Sequence, residues 1–169
     1  MESKERMINT YRRVYSIPRL VPTLRILGAL SVFFVAGVFA YGVGVLLWYG
    51  EYLYVTELVA VAAVPFVAVT LMRILINAER PYEVFDIEEL GTLREKGKKG
   101  RSFPSRHVFS AFLIGVLWLP YSVAFGIAAI LLGAFLAAER VLLGIHFIKD
   151  VLVGAAIGAA SGLIGILIL

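Results

Sequence analysis

The sequence contains no cysteine. Disulfides, thiolate nucleophiles and zinc–cysteine sites are therefore excluded. Charge is also scarce: Asp, Glu, Lys and Arg make up 17% of the 169 residues, against about 25% in ordinary soluble domains. There are two histidines and six prolines. What fills the sequence instead is long apolar runs: 60% of residues are hydrophobic and mean hydropathy is +0.89. That balance excludes a soluble globular domain and a disordered chain. The length fits one domain, and no internal repeat divides residues 1–169.

Residues 1–20 are polar and basic, without the apolar run and small-residue cleavage site of a signal peptide. Met7, Ile8, Tyr11, Val14 and Tyr15 fall on one helical face, with Arg12 at its flank and Arg13 away from it. This predicts a short interfacial helix ending before Pro18; a frayed tail is the alternative. Five apolar stretches follow, at about 26–49, 53–76, 103–120, 121–143 and 151–169. About 20 helical residues span the hydrocarbon core. Four stretches reach that length, and the third is expected to start at membrane depth inside the bundle. Unbroken runs without two-residue alternation predict helices and not a barrel. The expected architecture is an all-α polytopic membrane bundle of about five transmembrane helices plus the interfacial helix, with a polar loop over residues 77–102. Gly154, Gly158 and Gly162 recur every four residues, as close helix packing requires; they serve either internal packing or a homodimer face.

The net charge is +4. Outside Arg73, Arg80, Arg106 and Arg140, the basic residues are Lys4, Arg6, Arg12, Arg13, Arg19, Arg25, Arg94, Lys96, Lys98, Lys99, Arg101 and Lys149. Five spans put all of them on one side, which the positive-inside rule makes cytoplasmic. There they would contact anionic lipid. A nucleic-acid partner is not expected, because the basic residues are juxtamembrane and carry no binding motif.

Charge at membrane depth is costly and needs a reason. Here it falls in three short places: Arg73-x6-Arg80-Pro81, Phe103-Pro104-Ser105-Arg106-His107, and Glu139-Arg140-x5-His146-x3-Asp150. A five-span serpentine brings all three, and both histidines, to one membrane face. Arg73, Arg80, Arg106 and Arg140 suit phosphate oxygens and stay charged when buried. Pro104 suits a first helical turn, whose free amides, with the Ser105 hydroxyl, would take a phosphate oxygen. His146 and Asp150 share a face if that turn is helical, so Asp150 would orient one ring nitrogen and free the other as nucleophile. His107 would protonate a leaving oxygen.

Together these residues resemble the type 2 phosphatidic acid phosphatase superfamily, integral membrane lipid phosphatases related to vanadium haloperoxidases. The family pattern reads Lys-x6-Arg-Pro, Pro-Ser-Gly-His and Ser-Arg-x5-His-x3-Asp. The resemblance implies Arg73, Arg80, Ser105 and Arg140 as phosphate ligands, His107 as acid, His146 as nucleophile and Asp150 as its partner. It also implies hydrolysis of a lipid phosphomonoester or diphosphate with no metal or other cofactor. A phospholipid such as phosphatidylglycerol phosphate or phosphatidic acid, or an isoprenoid diphosphate, is the expected substrate.

Three residues depart from the pattern. Arg73 stands for Lys. Arg106 stands for Gly, and would bind a second phosphate or point to headgroups. Glu139 stands for Ser, and would orient an arginine. Membrane members commonly have six spans and an outward site, whereas this sequence gives five and a cytoplasmic one. Two other functions compete: a non-catalytic binder or carrier of phosphorylated lipid, and a metal-dependent hydrolase built on His107, His146, Asp150 and Glu139.

Overall fold

The computed structural model describes residues 2–91, 93, 97 and 99–169. Arg94, Lys96 and Lys98 of the basic loop lie outside the described residues. Helix α1 (Glu2–Ser16) precedes α2 (Leu20–Trp48) and α3 (Tyr52–Ile76). A short α4 (Pro81–Val84) and a 3-10 turn (Glu88–Leu90) follow, then α5 (Arg106–Trp118), α6 (Val123–Leu142) and α7 (Ile148–Ile168). No strand occurs among the described residues.

Helices α2, α3, α6 and α7 are long and apolar enough to cross a membrane. Their outward faces are apolar: Phe33, Leu75, Leu131 and Leu152 are all exposed, the composition that lipid contact requires. Helix α5 is different. Its 13 residues rise about 20 Å, short of the roughly 30 Å hydrocarbon core. It is also the most enclosed element, with Val108, Phe109, Ala111, Leu113 and Leu117 all buried. The expected third span is therefore a central helix sheathed by the four long ones. Its N-terminus starts inside the bundle, and so does the motif it carries.

Close approach makes this possible. A Cβ on Gly154 would meet the Ser105 carbonyl at 2.7 Å, and one on Gly162 would meet that of Leu113 at 2.8 Å. Between them Gly158 lies against the Phe109 carbonyl. The glycine stripe of α7 is occupied inside the protomer by α5.

The far ends of the helices carry an aromatic group, Tyr41, Trp118, Tyr121 and Phe125, the amphipathic ring chemistry of a membrane–water boundary. At the opposite end α1 folds over the bundle. Tyr11 and Val14 are buried, and Tyr11, Met7, Ile8 and Tyr15 pack with Tyr82, Phe85, Ile87 and Leu90. The predicted apolar face exists, but the polar loop covers it. Arg12 reaches out to Glu89 at 3.7 Å. The Tyr15 hydroxyl donates to the Leu143 carbonyl at 3.2 Å, tying α1 to the α6–α7 turn. That turn reverses at Gly144 with φ +70, a left-handed conformation that glycine adopts without steric cost.

Candidate active site

Three chain segments meet where α3 ends, α5 begins and α6 turns into α7. Helix α3 stops at Asn77, left-handed at φ 43, a conformation that short polar side chains tolerate. The Ser102 amide donates to the Ala78 carbonyl at 2.9 Å, so the end of the polar loop returns beside the α3 exit.

Arginines clamp this return. The buried Arg73 guanidinium donates to the carbonyls of Pro104 and, at 3.2 Å, of Ser102. Arg80 donates from Nε to the Gly100 carbonyl at 3.0 Å, from Nη1 to the Ile145 carbonyl at 3.3 Å, and from Nη2 to the Arg101 carbonyl at 3.5 Å. One guanidinium thus ties the second segment to the third. Glu83 braces the same corner. Its carboxylate accepts from the Arg80 amide at 2.8 Å and from the Gly100 amide at 2.9 and 3.0 Å. Arg73 and Arg80, read from sequence as phosphate ligands, also organise the loop backbone.

Helix α5 starts at Arg106, with Ser105 as its N-cap. Pro104 therefore precedes the cap and does not occupy the first turn expected for it. The backbone decides this: the Ser105 amide is committed to the Asp150 carbonyl at 2.9 Å, which draws Ser105 to α7 in a non-helical conformation. Its hydroxyl makes no cap bond. It is fully buried, without a partner among the described residues, beside the first-turn amides of α5, which have no intrahelical acceptor and where an anion is favoured.

His146 is not helical either. Helix α7 begins at Ile148, and His146 sits in the turn before the Phe147 cap. Sequence spacing put His146 and Asp150 on one helical face if that turn was helical; the turn is not helical and still brings them together, with His146 Nδ1 3.5 Å from Asp150 Oδ2. That separation is long for a hydrogen bond. A third residue, missed in the sequence, closes it. Ser102 Oγ donates to Asp150 Oδ2 at 2.5 Å and lies 3.2 Å from His146 Nδ1. The Phe147 amide donates to the same carboxylate oxygen at 3.0 Å. With the hydroxyl proton committed to Asp150, the serine oxygen accepts from a protonated Nδ1. That assignment of the tautomer leaves Nε2 with its lone pair free.

His146 is buried. Burial holds its ring below the ordinary histidine value; the Asp150 carboxylate pulls the other way, and the charges of Arg80 and Arg73 add to the lowering. The ring is therefore neutral at pH 7 and competent as a nucleophile.

His107, one residue into α5, is the exposed member of the cluster. The charges of Arg140, His146, Arg106 and Arg73 all act on it, which brings the two histidines and three of the arginines into one electrostatic environment. Arg140, at the end of α6, has its Nε 3.1 Å from Glu139 Oε2. Glu139 is buried under α2, where a Cβ on Gly28 would meet its carboxylate at 2.9 Å. Arg106 turns its guanidinium over the Phe66 ring at 5.7 Å.

Besides Ser102, the sequence reading missed Glu83. Neither residue belongs to a recognisable spacing. The one available signal was that both flank the motifs, Ser102 three residues before Ser105 and Glu83 three after Arg80.

Residues 46–169 match the model of the PAP2 superfamily. No curated protein matches the chain. The crystal structure of Aquifex aeolicus LpxE shares the fold with a TM-score of 0.66 and 24% identity, over 94% of this chain and 93% of that one. The family match spans well over half the sequence, from α2 through all three charged segments, and the chain belongs to the PAP2 superfamily as a membrane-embedded phosphatase.

Proposed function

We propose that the protein hydrolyses a lipid phosphomonoester or lipid diphosphate through a phosphohistidine, without a metal. The observation that carries this reading is the Ser102–Asp150–His146 chain. It fixes one ring nitrogen and frees the other among guanidinium groups. His146 Nε2 attacks phosphorus while the bond to the leaving oxygen breaks, and His107 delivers a proton to that oxygen. Asp150, through Ser102 and directly, stabilises the imidazolium as positive charge develops. Arg140, Arg73 and the first-turn amides of α5, with the Ser105 hydroxyl, stabilise charge on the equatorial oxygens. His107, now neutral, takes a proton from water, whose oxygen attacks the phosphohistidine and releases phosphate. The guanidinium groups supply the positive charge that a metal supplies in other phosphatases.

The basic residues of α1 and Lys99, Arg101 and Lys149 lie at the site end of the bundle, which supports a cytoplasmic site in the cell membrane. A cytoplasmic face gives phosphatidylglycerol phosphate and phosphatidic acid as candidate substrates, and an isoprenoid diphosphate is the other.

The direct test is phosphate release from these three lipids in detergent, with chelator present. Turnover unaffected by chelation is expected. Its loss on chelation would return the metal-dependent reading, and binding without turnover would make the protein a carrier. The acid limb of kcat/KM should fall below about pH 6.5, the ordinary histidine value. The sign follows from burial: a lowered pKa keeps the ring neutral to lower pH. A limb above that value would remove His146 as the titrating nucleophile. Ser102→Ala should lower kcat by roughly tenfold, the worth of one hydrogen bond to a charged group, with little change in KM. An unchanged kcat would leave Ser102 a packing residue.

A further inference from the structure

The residue that departs most from the family pattern is Arg106, where the pattern has glycine. Sequence alone leaves it two destinations, a second phosphate or the bilayer headgroups. The direction of its side chain decides between them. Helix α3 carries Arg73 at the site and Phe66 seven residues earlier, about 10 Å deeper into the membrane at 1.5 Å per residue. Arg106 opens α5 at the site end, and its guanidinium lies over Phe66. It therefore folds inward along the bundle. A side chain seeking headgroups extends the other way.

What lies there is an apolar cleft of about 230 Å³ between α2, α3 and α5, walled by Phe39, Ala63, Phe66, Phe109, Ser110 and Ile114. Phe109 and Ser110 are one turn beyond Arg106 on α5, so the arginine stands at the site end of the cleft. Among the described residues no carboxylate pairs with it. The charge of Arg106 also acts on the buried Arg73. Two guanidinium groups so placed, one without a counter-ion, are an arrangement that a bound anion relieves.

Resting on the phosphatase reading, we infer that Arg106 binds a second phosphate of the substrate, one that lies between the scissile phosphate and the lipid tail. The preferred substrate class is then a lipid with two phosphates in sequence from the head. A diphosphate has this chemistry, and so does a phosphodiester lipid bearing a terminal phosphomonoester. The tail runs from Arg106 into the cleft. A lipid with one phosphate, such as phosphatidic acid, fills the reaction centre and leaves Arg106 unpaired. The fork geometry of arginine suits this contact, and lysine would replace it only in part.

The experiment compares kcat/KM on three lipids of matched tail length: phosphatidic acid, phosphatidylglycerol phosphate and an isoprenoid diphosphate. Wild type is set against Arg106→Gln and Arg106→Lys, each first shown to melt and elute as wild type does. Wild type should prefer at least one two-phosphate lipid over phosphatidic acid. Arg106→Gln should cut that preference about 10- to 100-fold, the worth of one charge-assisted contact, mainly through KM. Arg106→Lys should fall between. Inorganic pyrophosphate should inhibit wild type more strongly than inorganic phosphate, and Arg106→Gln should erase the difference. Equal losses on all three lipids would overturn the inference and make Arg106 part of the general field of the site. No loss on any lipid would also overturn it and return the residue to headgroup contact. A wild type that turns over phosphatidic acid but shows no preference refutes the inference while sparing the phosphatase reading. A well-folded wild type inactive on every lipid refutes both.

Discussion

His146→Ala is expected to lower kcat by roughly 10⁴–10⁶-fold, the range seen when a nucleophile is removed from a site that acts as a unit. The reason is chemical. No other neutral nitrogen in the cluster is both buried and oriented: His107 is exposed, and the remaining nitrogen bases are guanidiniums. The loss should appear with unchanged melting, because among the described residues the His146 ring makes its polar contacts to Ser102 and Asp150. Asp150→Asn should cost less, about 10²–10⁴-fold, since it removes orientation and charge stabilisation but leaves the attacking nitrogen. Its acid limb should move further down in pH, because the carboxylate is the influence that raises the His146 value. Phosphate release by purified variants, with acid-labile label on the protein after brief exposure to radiolabelled lipid, checks each step. Turnover by His146→Ala near wild-type rates would sink the phosphohistidine mechanism.

The largest effect on stability is expected from Gly158→Ala. An added methyl would press on the Phe109 carbonyl and stand 3.1 Å from the Leu113 amide. Both are backbone atoms of the central helix, which cannot swing aside as a side chain can. Overpacking of this kind costs about 1–3 kcal/mol, sometimes more. In a bilayer, close approach of helix backbones is a main source of association. Gly37→Ala is the control. Among the described residues nothing lies within 4 Å of a Cβ there, and the residue has an ordinary helical backbone, so alanine should raise stability slightly by its better helix propensity. Thermal melting in one detergent should separate the two variants, Gly158→Ala low and Gly37→Ala at or above wild type. Coincident melting curves would refute the packing account. Gly154→Ala should add a functional loss, because it presses on the Ser105 backbone that bonds to Asp150.

Much of the fold was legible because a bilayer makes hydrophobicity a direct signal. Long uncharged runs have few alternatives to spanning helices once every backbone polar group must be satisfied internally. The short third run is a helix that begins inside the bundle. The α1 face was legible too, with Tyr11 and Val14 on it, but not its destination. An apolar stripe beside polar flanks looks the same whether lipid or a folded loop covers it, and here Tyr82, Phe85 and Leu90 do.

The site was legible as a set of residues more than as a geometry. Charges that are costly at membrane depth stood out by their rarity, and one serpentine path placed them at one end. The placement of Ser102 and Glu83 was invisible. Their partners, Asp150 and Gly100, are 48 and 17 residues away, and no periodicity reaches across a loop. Local geometry misled twice. Pro104 suits a first helical turn, yet the Ser105–Asp150 backbone bond ends the extended segment at Ser105. The four-residue spacing of His146 and Asp150 suits a helix, yet Gly144 turns the chain and leaves His146 outside α7.

The sequence by itself determined the helical class, the membrane setting, the side on which charge accumulates and the residue types available for phosphate chemistry. Each depends on the free energy of moving one residue or one run of residues between water and hydrocarbon. Only the tertiary structure decided which ring nitrogen Asp150 and Ser102 fix, that the Ser105 hydroxyl is buried at the start of α5, and that Arg106 folds inward over Phe66. Those features depend on backbone hydrogen bonds and packing between segments far apart in the chain, which no local pattern encodes.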